Sequence, residues 1–308
     1  MKLSIVTTLY HSAPYIEEFY RRINDTARKI TDDYEIIFVN DGSPDNALDI
    51  VVDLYHRDDK VSVIDLSRNF GHHKAMMTGL SYAQGDRVFL VDCDLEEEPE
   101  LLERFWQEMD HSKEADVVYG VQEQRRGGWL EKTSGLLFYK LFNFLSPVKI
   151  PENLVTCRLM TMQYVKALLG FREQEIVIAG LWASAGFVQI SVPVQKSKRG
   201  STTYSLGHKL AILVNSITSF SNKPLVFIFY LGTLVTLFSF AFVLYLVVRK
   251  LVWGIAIAGW SSIVASIWFV GGVIIFSVGV LGIYLSKIFT ETKNRPYTII
   301  RNVHGRDE

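Results

Sequence analysis

Two long runs without charge near the C-terminus constrain the fold of this chain more than any other feature. Residues 225–248 carry no charged side chain, and as a helix they extend about 36 Å at 1.5 Å per residue. That length crosses the hydrocarbon core of a bilayer with some tilt, and it argues against the alternative of a helix buried in a soluble core. The second run covers 251–286, where we predict an interfacial turn and then a second span at 261–286.

The charges around these runs predict their orientation. Arg249 and Lys250 are the only charged residues from 225 to 286, whereas cations stand at Lys223 and in the segment after the second run. Because positive charge stays on the cytoplasmic side, both ends of the chain are predicted to lie in the cytoplasm. We expect the first residues not to act as a signal peptide, since their short apolar run is broken by Thr7 and Thr8. We therefore expect the C-terminal runs to direct insertion.

The rest of the composition excludes several classes of protein. The formal net charge of −1 at pH 7 argues against nucleic acid as a partner, since general nucleic-acid binders are basic. Cys93 and Cys157 are too few for a disulfide framework, and they lack the spacing of a zinc site. We interpret both as reduced cytoplasmic thiols.

The N-terminal part of the chain alternates apolar runs with helical patterns. Short strands are predicted at 2–8, 35–40, 61–66, 86–91 and 116–119, and helices at 14–30, 44–55, 71–83 and 99–109. This alternation predicts an α/β fold with a mainly parallel sheet and helices on both faces. Ligands of such sheets bind beyond the carboxyl ends of the strands, so functional residues should follow strands.

Two acidic clusters follow predicted strands. Asp41 ends one strand, and Gly42 permits a tight turn after it. A base or ribose is the expected ligand, and an ordinary turn that caps the next helix is the alternative.

Asp92 and Asp94 end another strand, where two unpaired carboxylates are costly unless a cation joins them. Hard oxygen ligands favour Mg²⁺ or Mn²⁺, although such a pair also occurs in ordinary loops, and Glu96 is expected to face the same site.

A basic cluster runs from Arg68 to Lys74 and opens a predicted helix after a strand. Basic residues at a helix N-terminus suit phosphate binding. The cluster contains His72 and His73, but adjacent side chains diverge in a helix, so we do not expect the pair to bind a metal ion.

In this order, the clusters resemble those of family 2 glycosyltransferases with a GT-A (Rossmann-like) fold. The most similar subgroup is the polyprenyl-phosphate and dolichyl-phosphate sugar synthases, such as the bactoprenol glucosyltransferases. Each matching segment is short, but the ordered set with two terminal spans is specific. The segments are Ser4-Ile5-Val6 leading to Tyr10, Asn40-Asp41-Gly42-Ser43, Arg68-Asn69-Phe70-Gly71, Asp92-Cys93-Asp94-Leu95, Arg158-Leu159-Met160, and the flanks of the two runs at 217–225 and 284–296.

The resemblance implies a site for a nucleotide sugar and a divalent metal ion. It implies recognition of the base by Asp41 and metal binding by Asp92 and Asp94, with Asp94 a catalytic residue. The expected contacts to the nucleotide sugar are Thr8, Tyr10, Asp41, Arg68, Lys74 and Asp92. UDP-glucose is the expected donor, with other UDP-sugars and GDP-mannose next.

Three departures from the family pattern bear on the chemistry. His11-Ser12 follows Tyr10 where many members have Asn-Glu. The family's Ser-Lys-Tyr appears as 202–204 without its lysine, and we expect Lys198 and Arg199 to supply that charge. At the position of Thr156, many members carry an acidic residue that is interpreted as a general base. We therefore expect Thr156 to occupy a catalytic position at which this chain has no such base.

A lipid monophosphate acceptor needs no such base, because it is largely anionic near neutral pH and is its own nucleophile. We expect Arg158 to hold that phosphate as a catalytic residue, with Arg125, Lys132, Lys198 and Arg199 as further contacts. The resemblance implies inversion at the anomeric carbon and polyprenyl phosphate as the acceptor. Direct transfer to another membrane glycan is one alternative, and a degenerate donor-binding regulatory subunit is another.

The predicted organisation has four parts. Residues 1–205 form the cytoplasmic GT-A domain, 206–224 an amphipathic interfacial helix and linker, 225–286 the two transmembrane helices, and 287–308 a cytoplasmic tail. The segments 129–145 and 206–220 fit helices on the bilayer surface, or helices packed against the domain's own core. The expected location is the bacterial inner (plasma) membrane, and a homo-oligomer is left open.

Overall fold

The computed structural model describes residues 1–122, 140, 142–146, 148–151, 153–196, 214, 216–253 and 259–305. The chain divides into two units. One unit contains a sheet and the shorter helices, and the other contains two long apolar helices.

The chain begins with strands and helices in strict alternation, as the sequence predicts. These elements are β1 (Leu3–Leu9), α1 (Ile16–Ile30), β2 (Tyr34–Asn40), α2 (Ala47–Arg57), β3 (Val61–Leu66), α3 (His72–Tyr82), β4 (Arg87–Leu90) and α4 (Leu101–His111). The predicted bounds are displaced by only a few residues, which is the usual scatter of helix and strand ends.

Beyond α4 the sequence predicts one short strand, helices at 129–145 and 206–220 and the two spans, whereas the described residues contain more elements. They are β5 (Val117–Gln122), β6 (Leu154–Thr161), α5 (Met162–Leu169), α6 (Ile178–Ser184), β7 (Gln189–Val194), α7 (Lys223–Trp253), α8 (Trp260–Thr292) and β8 (Ile300–His304). Most of the segments 129–145 and 206–220 lies outside the described residues. The Arg158-Leu159-Met160 segment lies in β6. Thr161 ends β6 and caps α5, because its Oγ1 accepts a hydrogen bond from the Tyr164 N–H.

Eight strands form one sheet in the order β7-β5-β6-β4-β1-β2-β3-β8. β1 is parallel to β2 and β4, β2 is parallel to β3, and β5 is parallel to β7. β6 runs antiparallel between β4 and β5, and β8 runs antiparallel to β3. The sheet is mixed and mostly parallel, which confirms the predicted α/β class.

Helices pack on both faces of the sheet. All seven residues of β1 are buried, which is typical of a strand covered on both sides. Ile5 lies in one apolar core with Phe19 of α1. Val6 points to the opposite face, where a Cβ on Gly79 of α3 would lie 2.5 Å from Val6 Cγ1 and 2.8 Å from Val39 Cγ2. Glycine at position 79 therefore allows α3, which begins within the basic cluster, to approach the sheet closely.

The segment after α8 adds a strand to the sheet. The sequence predicts a tail at 287–308, whereas Ile300–His304 pairs with β3 and extends the sheet at that end. A polar strand of five residues has no distinctive pattern of its own. The hydrogen-bonding groups of the β3 edge provide the partner that makes it a strand.

α7 and α8 are long and apolar enough to cross a bilayer. Lys223–Phe242 and Ser266–Thr292 each have a mean hydropathy of 2.2, and neither stretch is buried within the protein. At the base of these helices, Tyr284 donates a hydrogen bond to the Ser221 carbonyl, and Lys287 donates one to Ser219 Oγ. These contacts join α8 to the residues that precede α7, as a helical hairpin requires.

We expect Gly79→Ala to destabilise the sheet unit by about 1–2 kcal/mol, because an overpacking cost of up to about 3 kcal/mol exceeds the ~1 kcal/mol that alanine gains over glycine in a helix. The midpoint of thermal unfolding of the full-length chain in detergent should fall by roughly 2–10 °C. Ser81→Ala, at an exposed position of the same helix, is the control. An unchanged midpoint for Gly79→Ala would contradict the close approach of α3 to the sheet.

Candidate active site

The loops that follow β1, β2, β3 and β4 meet at one edge of the sheet, because the carboxyl ends of parallel strands lie together. They enclose a cleft of about 390 Å³. Five residues predicted to contact the donor or the metal ion line it together, namely Thr8, Tyr10, Asp41, Asp92 and Asp94. Ser12, Asn69, Gly71 and His72 complete most of its polar wall.

Asp41 joins two of these loops. It is 2% exposed, and it accepts hydrogen bonds from the N–H groups of Phe70 at 2.7 Å and Gly71 at 3.0 Å. Burial raises the pKa of the Asp41 carboxyl above its ordinary value, and the two N–H groups oppose that rise. Gly42 follows with a φ of +60°, and a Cβ there would lie 2.5 Å from backbone atoms of Arg68 and Asn69. Glycine is therefore needed for the two loops to pack this closely.

The loop after β1 is tied to the same turn. Ser43 Oγ accepts a hydrogen bond from the His11 N–H at 2.8 Å. Ser12 Oγ accepts one from the Tyr10 N–H at 3.1 Å. The Tyr10 side chain remains half-exposed in the cleft wall. The His11-Ser12 pair, which departs from the family pattern, thus fixes the loop that presents Tyr10.

Asp92 interacts with side chains of α3 and β6. His72 Nε2 lies 3.2 Å from Asp92 Oδ1, and His72 Nδ1 lies 2.9 Å from Thr8 Oγ1. The Thr156 hydroxyl also acts on Asp92, since it lowers the pKa of that carboxyl as a nearby hydrogen-bond donor. Burial acts to lower the pKa of His72, but the hydrogen bond and charge of Asp92 outweigh it and raise that pKa. Burial acts to raise the pKa of Asp92, and the His72 and Thr156 contacts outweigh it and lower that pKa, so the pair favours a carboxylate and an imidazolium.

Asp94 lies beside other negative charges. Its Oδ1 accepts the N–H of Glu96 at 2.9 Å, across Leu95 with a φ of +59°. Burial raises the pKa of Asp94, and the charges of Asp92 and Glu96 raise it further. An added cation would stabilise the ionised form and offset this repulsion.

The two carboxylates fit a divalent cation that shares its other ligands with phosphate and water. Mg²⁺ is commonly held by one or two carboxylates together with substrate phosphates and water. In the part of the chain that the structure describes, no three His, Cys, Asp or Glu side chains group closely enough to form a protein cage for a metal ion. Asp92 and Asp94 therefore have the chemistry of a site that a diphosphate completes.

The sequence does not identify Glu97 as a buried acidic residue close to the site. Glu97 is fully buried and accepts hydrogen bonds from the N–H groups of Thr156 at 3.2 Å and Cys157 at 2.7 Å. Lys196 forms ion pairs with Glu96 at 3.1 Å and Glu97 at 3.3 Å. Burial and then the charge of Asp92 raise the pKa of Glu97. Because the acidic run at 96–100 is typical of a solvated helix start, nothing in its pattern distinguishes the buried member.

Arg158 is buried, with 1% of its surface exposed. Its guanidinium stacks on the Trp182 ring and donates a hydrogen bond to the Thr156 carbonyl at 3.2 Å. Burial lowers the pKa of Arg158, although a guanidinium stays charged in proteins. Contact between Arg158 and an acceptor phosphate stays a prediction, because the guanidinium is buried and stacked on the Trp182 ring.

The remaining basic candidates lie beside the cleft or outside the described residues. Arg68 stacks on the Phe70 ring at 4.1 Å, and Lys74 lines a neighbouring hollow. His73 Nδ1 lies 3.1 Å from the Ile176 carbonyl, whereas His72 meets Asp92, so the adjacent imidazoles diverge as expected. Four predicted acceptor contacts lie outside the described residues, namely Arg125, Lys132, Lys198 and Arg199.

Comparisons with known proteins agree with this arrangement. The model of glycosyl transferase family 2 matches residues 4–169, more than half of the chain. A predicted glycosyltransferase of Mycobacterium tuberculosis is 53% identical over 307 residues, which cover 100% of this chain and 90% of the relative. The bactoprenol glucosyl transferase of Shigella phage SfII is 33% identical over 312 residues, which cover 99% of each chain.

A solved structure shares the fold of the sheet unit. Glucosyl-3-phosphoglycerate synthase from Mycobacterium tuberculosis, in complex with Mn²⁺, UDP-glucose and phosphoglyceric acid, superposes with a TM-score of 0.50 at 18% identity. The match covers 71% of this chain and 79% of that chain. Together with the family match and the cleft in which the motifs meet, this shows that the chain belongs to glycosyl transferase family 2 and is a glycosyltransferase with a GT-A fold.

Proposed function

We propose that the protein transfers a hexose from a nucleotide sugar to polyprenyl (undecaprenyl) phosphate, with inversion at the anomeric carbon. The observation that carries this proposal is the meeting of Asp41, Asp92 and Asp94 in one cleft at the carboxyl edge of the sheet. The bactoprenol glucosyl transferases among its relatives support a lipid phosphate as the acceptor. The product would serve synthesis or modification of a cell-surface glycan.

The cleft offers contacts for each part of a UDP-sugar. Asp41 accepts two backbone N–H bonds, and an ionised carboxylate has about four acceptor sites, so it can also accept an N–H from a base. The half-exposed Tyr10 offers a ring on which a base can stack. We place the diphosphate towards Asp92 and Asp94, with Thr8, Arg68 and Lys74 as further contacts.

Asp92 and Asp94 would hold a Mg²⁺ or Mn²⁺ ion, which neutralises charge on the departing nucleoside diphosphate. His72 and Thr156 orient the Asp92 carboxylate for this task through their hydrogen bonds. Burial and then the negative charges of Asp92 and Glu96 raise the pKa of Asp94, and a bound cation would offset that repulsion.

The acceptor chemistry is compatible with threonine at position 156. A phosphate monoester oxygen is already anionic near neutral pH, so it attacks the anomeric carbon without transfer of a proton to the protein. Thr156 then acts on Asp92 instead of on the acceptor. We propose that basic side chains hold the lipid phosphate, with Arg158 joining them once Trp182 moves. The other members of this set are Arg125, Lys132, Lys198 and Arg199.

We further propose that α7 and α8 cross a bacterial inner membrane, with the sheet unit and both chain ends in the cytoplasm. The high hydropathy of both helices supports insertion. Lys223 at the start of α7 and the cations after the second apolar run, against only two between the apolar runs, support this orientation.

The test of function is transfer of radiolabelled sugar by the purified full-length protein to undecaprenyl phosphate, from a panel of UDP-sugars and GDP-mannose. We expect a lipid-linked sugar, with one donor preferred. Product found only on another membrane glycan would favour that acceptor instead. Tight donor binding without hydrolysis or transfer would favour a regulatory donor-binding subunit, which the threonines at Thr156 and Thr203 motivate.

We expect Asp94→Asn to lower turnover by about 100-fold or more, because it removes an anionic metal ligand where charge develops on the leaving group. The measurement is transfer with saturating donor at several Mn²⁺ concentrations. Glu98→Gln is the matched control, since Glu98 is exposed and belongs to the same acidic stretch. Wild-type turnover by Asp94→Asn would contradict the proposed metal site.

We expect Arg158→Lys to raise the KM for lipid phosphate about tenfold and to leave the KM for the donor unchanged, because lysine cannot make the bidentate contact of arginine. Arg104→Lys, at an exposed position of α4, is the control. The unfolding midpoint is measured in parallel, since Arg158 is buried. A lower midpoint with an unchanged KM for the lipid would make Arg158 a structural residue and contradict the acceptor contact.

A further inference from the structure

The pairing of β8 with β3 contains an irregularity that involves one arginine. Asp65 stands opposite Asn302, and Leu66 stands opposite Ile300, so Arg301 is the extra residue between the two pairs. Such a bulge redirects the side chain of its extra residue, and bulges are common at sheet edges and beside active sites. Arg301 therefore lies at an irregular point of the sheet edge, beside the end of β3.

Arg301 binds the end of β3 through two groups. Its Nη1 lies 3.3 Å from Asp65 Oδ2, and its Nη2 donates a hydrogen bond to the Ser67 carbonyl at 2.6 Å. The Asp65 side chain is only 4% exposed, so protein groups rather than water satisfy its carboxylate oxygens. The Ser67 N–H in turn donates to the Ile299 carbonyl at 2.9 Å, which fastens the same point from the backbone.

From Asp65 the contacts continue to the turn that carries Asp41. Asp65 Oδ1 accepts a hydrogen bond from Asn40 Nδ2 at 2.8 Å, and Asn40 Oδ1 accepts one from the Ser43 N–H at 3.2 Å. Asn40 and Ser43 enclose Asp41 and Gly42 in the sequence. An unbroken series of direct contacts therefore joins Arg301 to this turn.

The second contact of Arg301 leads to the opposite wall of the same site. Ser67 immediately precedes the loop 68–71. Phe70 and Gly71 of that loop donate their N–H groups to Asp41. Arg301 thus bonds directly to the base of the loop 68–71 and, through Asp65 and Asn40, is connected to the turn that carries Asp41.

We propose that Arg301 is a positioning residue of the donor cleft. Through Asp65 and the Ser67 carbonyl it sets the spacing between the Asp41 turn and the loop 68–71, and hence the affinity for the nucleoside diphosphate part of the donor. This inference rests on the proposed donor site. It gives the segment beyond α8, which contains Arg301, a functional role in the sheet unit.

The test is binding of UDP with Mn²⁺ to the purified full-length protein in detergent, measured by calorimetry. Arg301→Gln should weaken binding about tenfold, the size of effect that the loss of a charge-assisted hydrogen bond produces. Arg57→Gln is the matched control, because Arg57 is similarly exposed, at 53% against 58%, and pairs with the exposed Glu17 and Asp53. Its UDP affinity should equal that of the wild type.

Two further variants separate positioning from a general loss of folding. Arg301→Lys keeps the charge beside Asp65 and should recover part of the lost affinity. Asp65→Asn combined with Arg301→Gln should bind UDP no more weakly than the weaker single variant, because both act through the same series of contacts. In transfer assays the donor KM should rise in Arg301→Gln while kcat stays near that of the wild type.

Two results would overturn the inference, and they have different meanings. Equal UDP affinity in Arg301→Gln and in a wild type that binds UDP would overturn this inference alone. A wild type that binds no nucleoside diphosphate would overturn the proposed donor site and this inference with it.

Discussion

Asp41 places a carboxylate inside the protein, where two backbone N–H groups from a neighbouring loop compensate its burial. A buried carboxylate without such partners costs several kcal/mol, on the order of the whole stability of a domain. If the loops after β2 and β3 separated, the Asp41 carboxylate would lose both N–H partners, at that cost in free energy. Gly42 permits the contact, since a side chain there would collide with the backbone of the facing loop. The rest of the cleft is built around this junction.

The other acidic groups of the cleft differ in how they are compensated. Asp92 has His72 and Thr156, and Glu97 has Lys196 and two backbone N–H groups. Asp94 has the N–H of Glu96, but neighbouring negative charges raise its pKa further. Asp94 is therefore the carboxylate of the cleft that an added cation would stabilise most. In the proposed reaction, a divalent cation would neutralise negative charge both at Asp94 and on the donor's diphosphate.

The order of elements along the chain connects the apolar helices to the sheet unit at both ends. The chain leaves the sheet after β7, forms α7 and α8, and then forms β8 in the same sheet. The contacts of Arg301 extend that return to the loops of the cleft. A segment that follows two apolar helices in the sequence is thereby a structural part of the sheet in this protein.

The sequence by itself determined the alternation of strands and helices, the two apolar helices, and the ends of strands at which Asp41, Asp92 and Asp94 stand. These features follow from local periodicity, from length, and from the rule that parallel strands end at one edge. Only the tertiary structure decided that Thr156 contacts Asp92, that Glu97 and Arg158 are buried, and that β8 joins β3. Each of these depends on a partner far away in the sequence. A short segment such as 300–304 carries no local pattern that identifies its partner, and the burial of one glutamate in an acidic run depends on which strand packs over it.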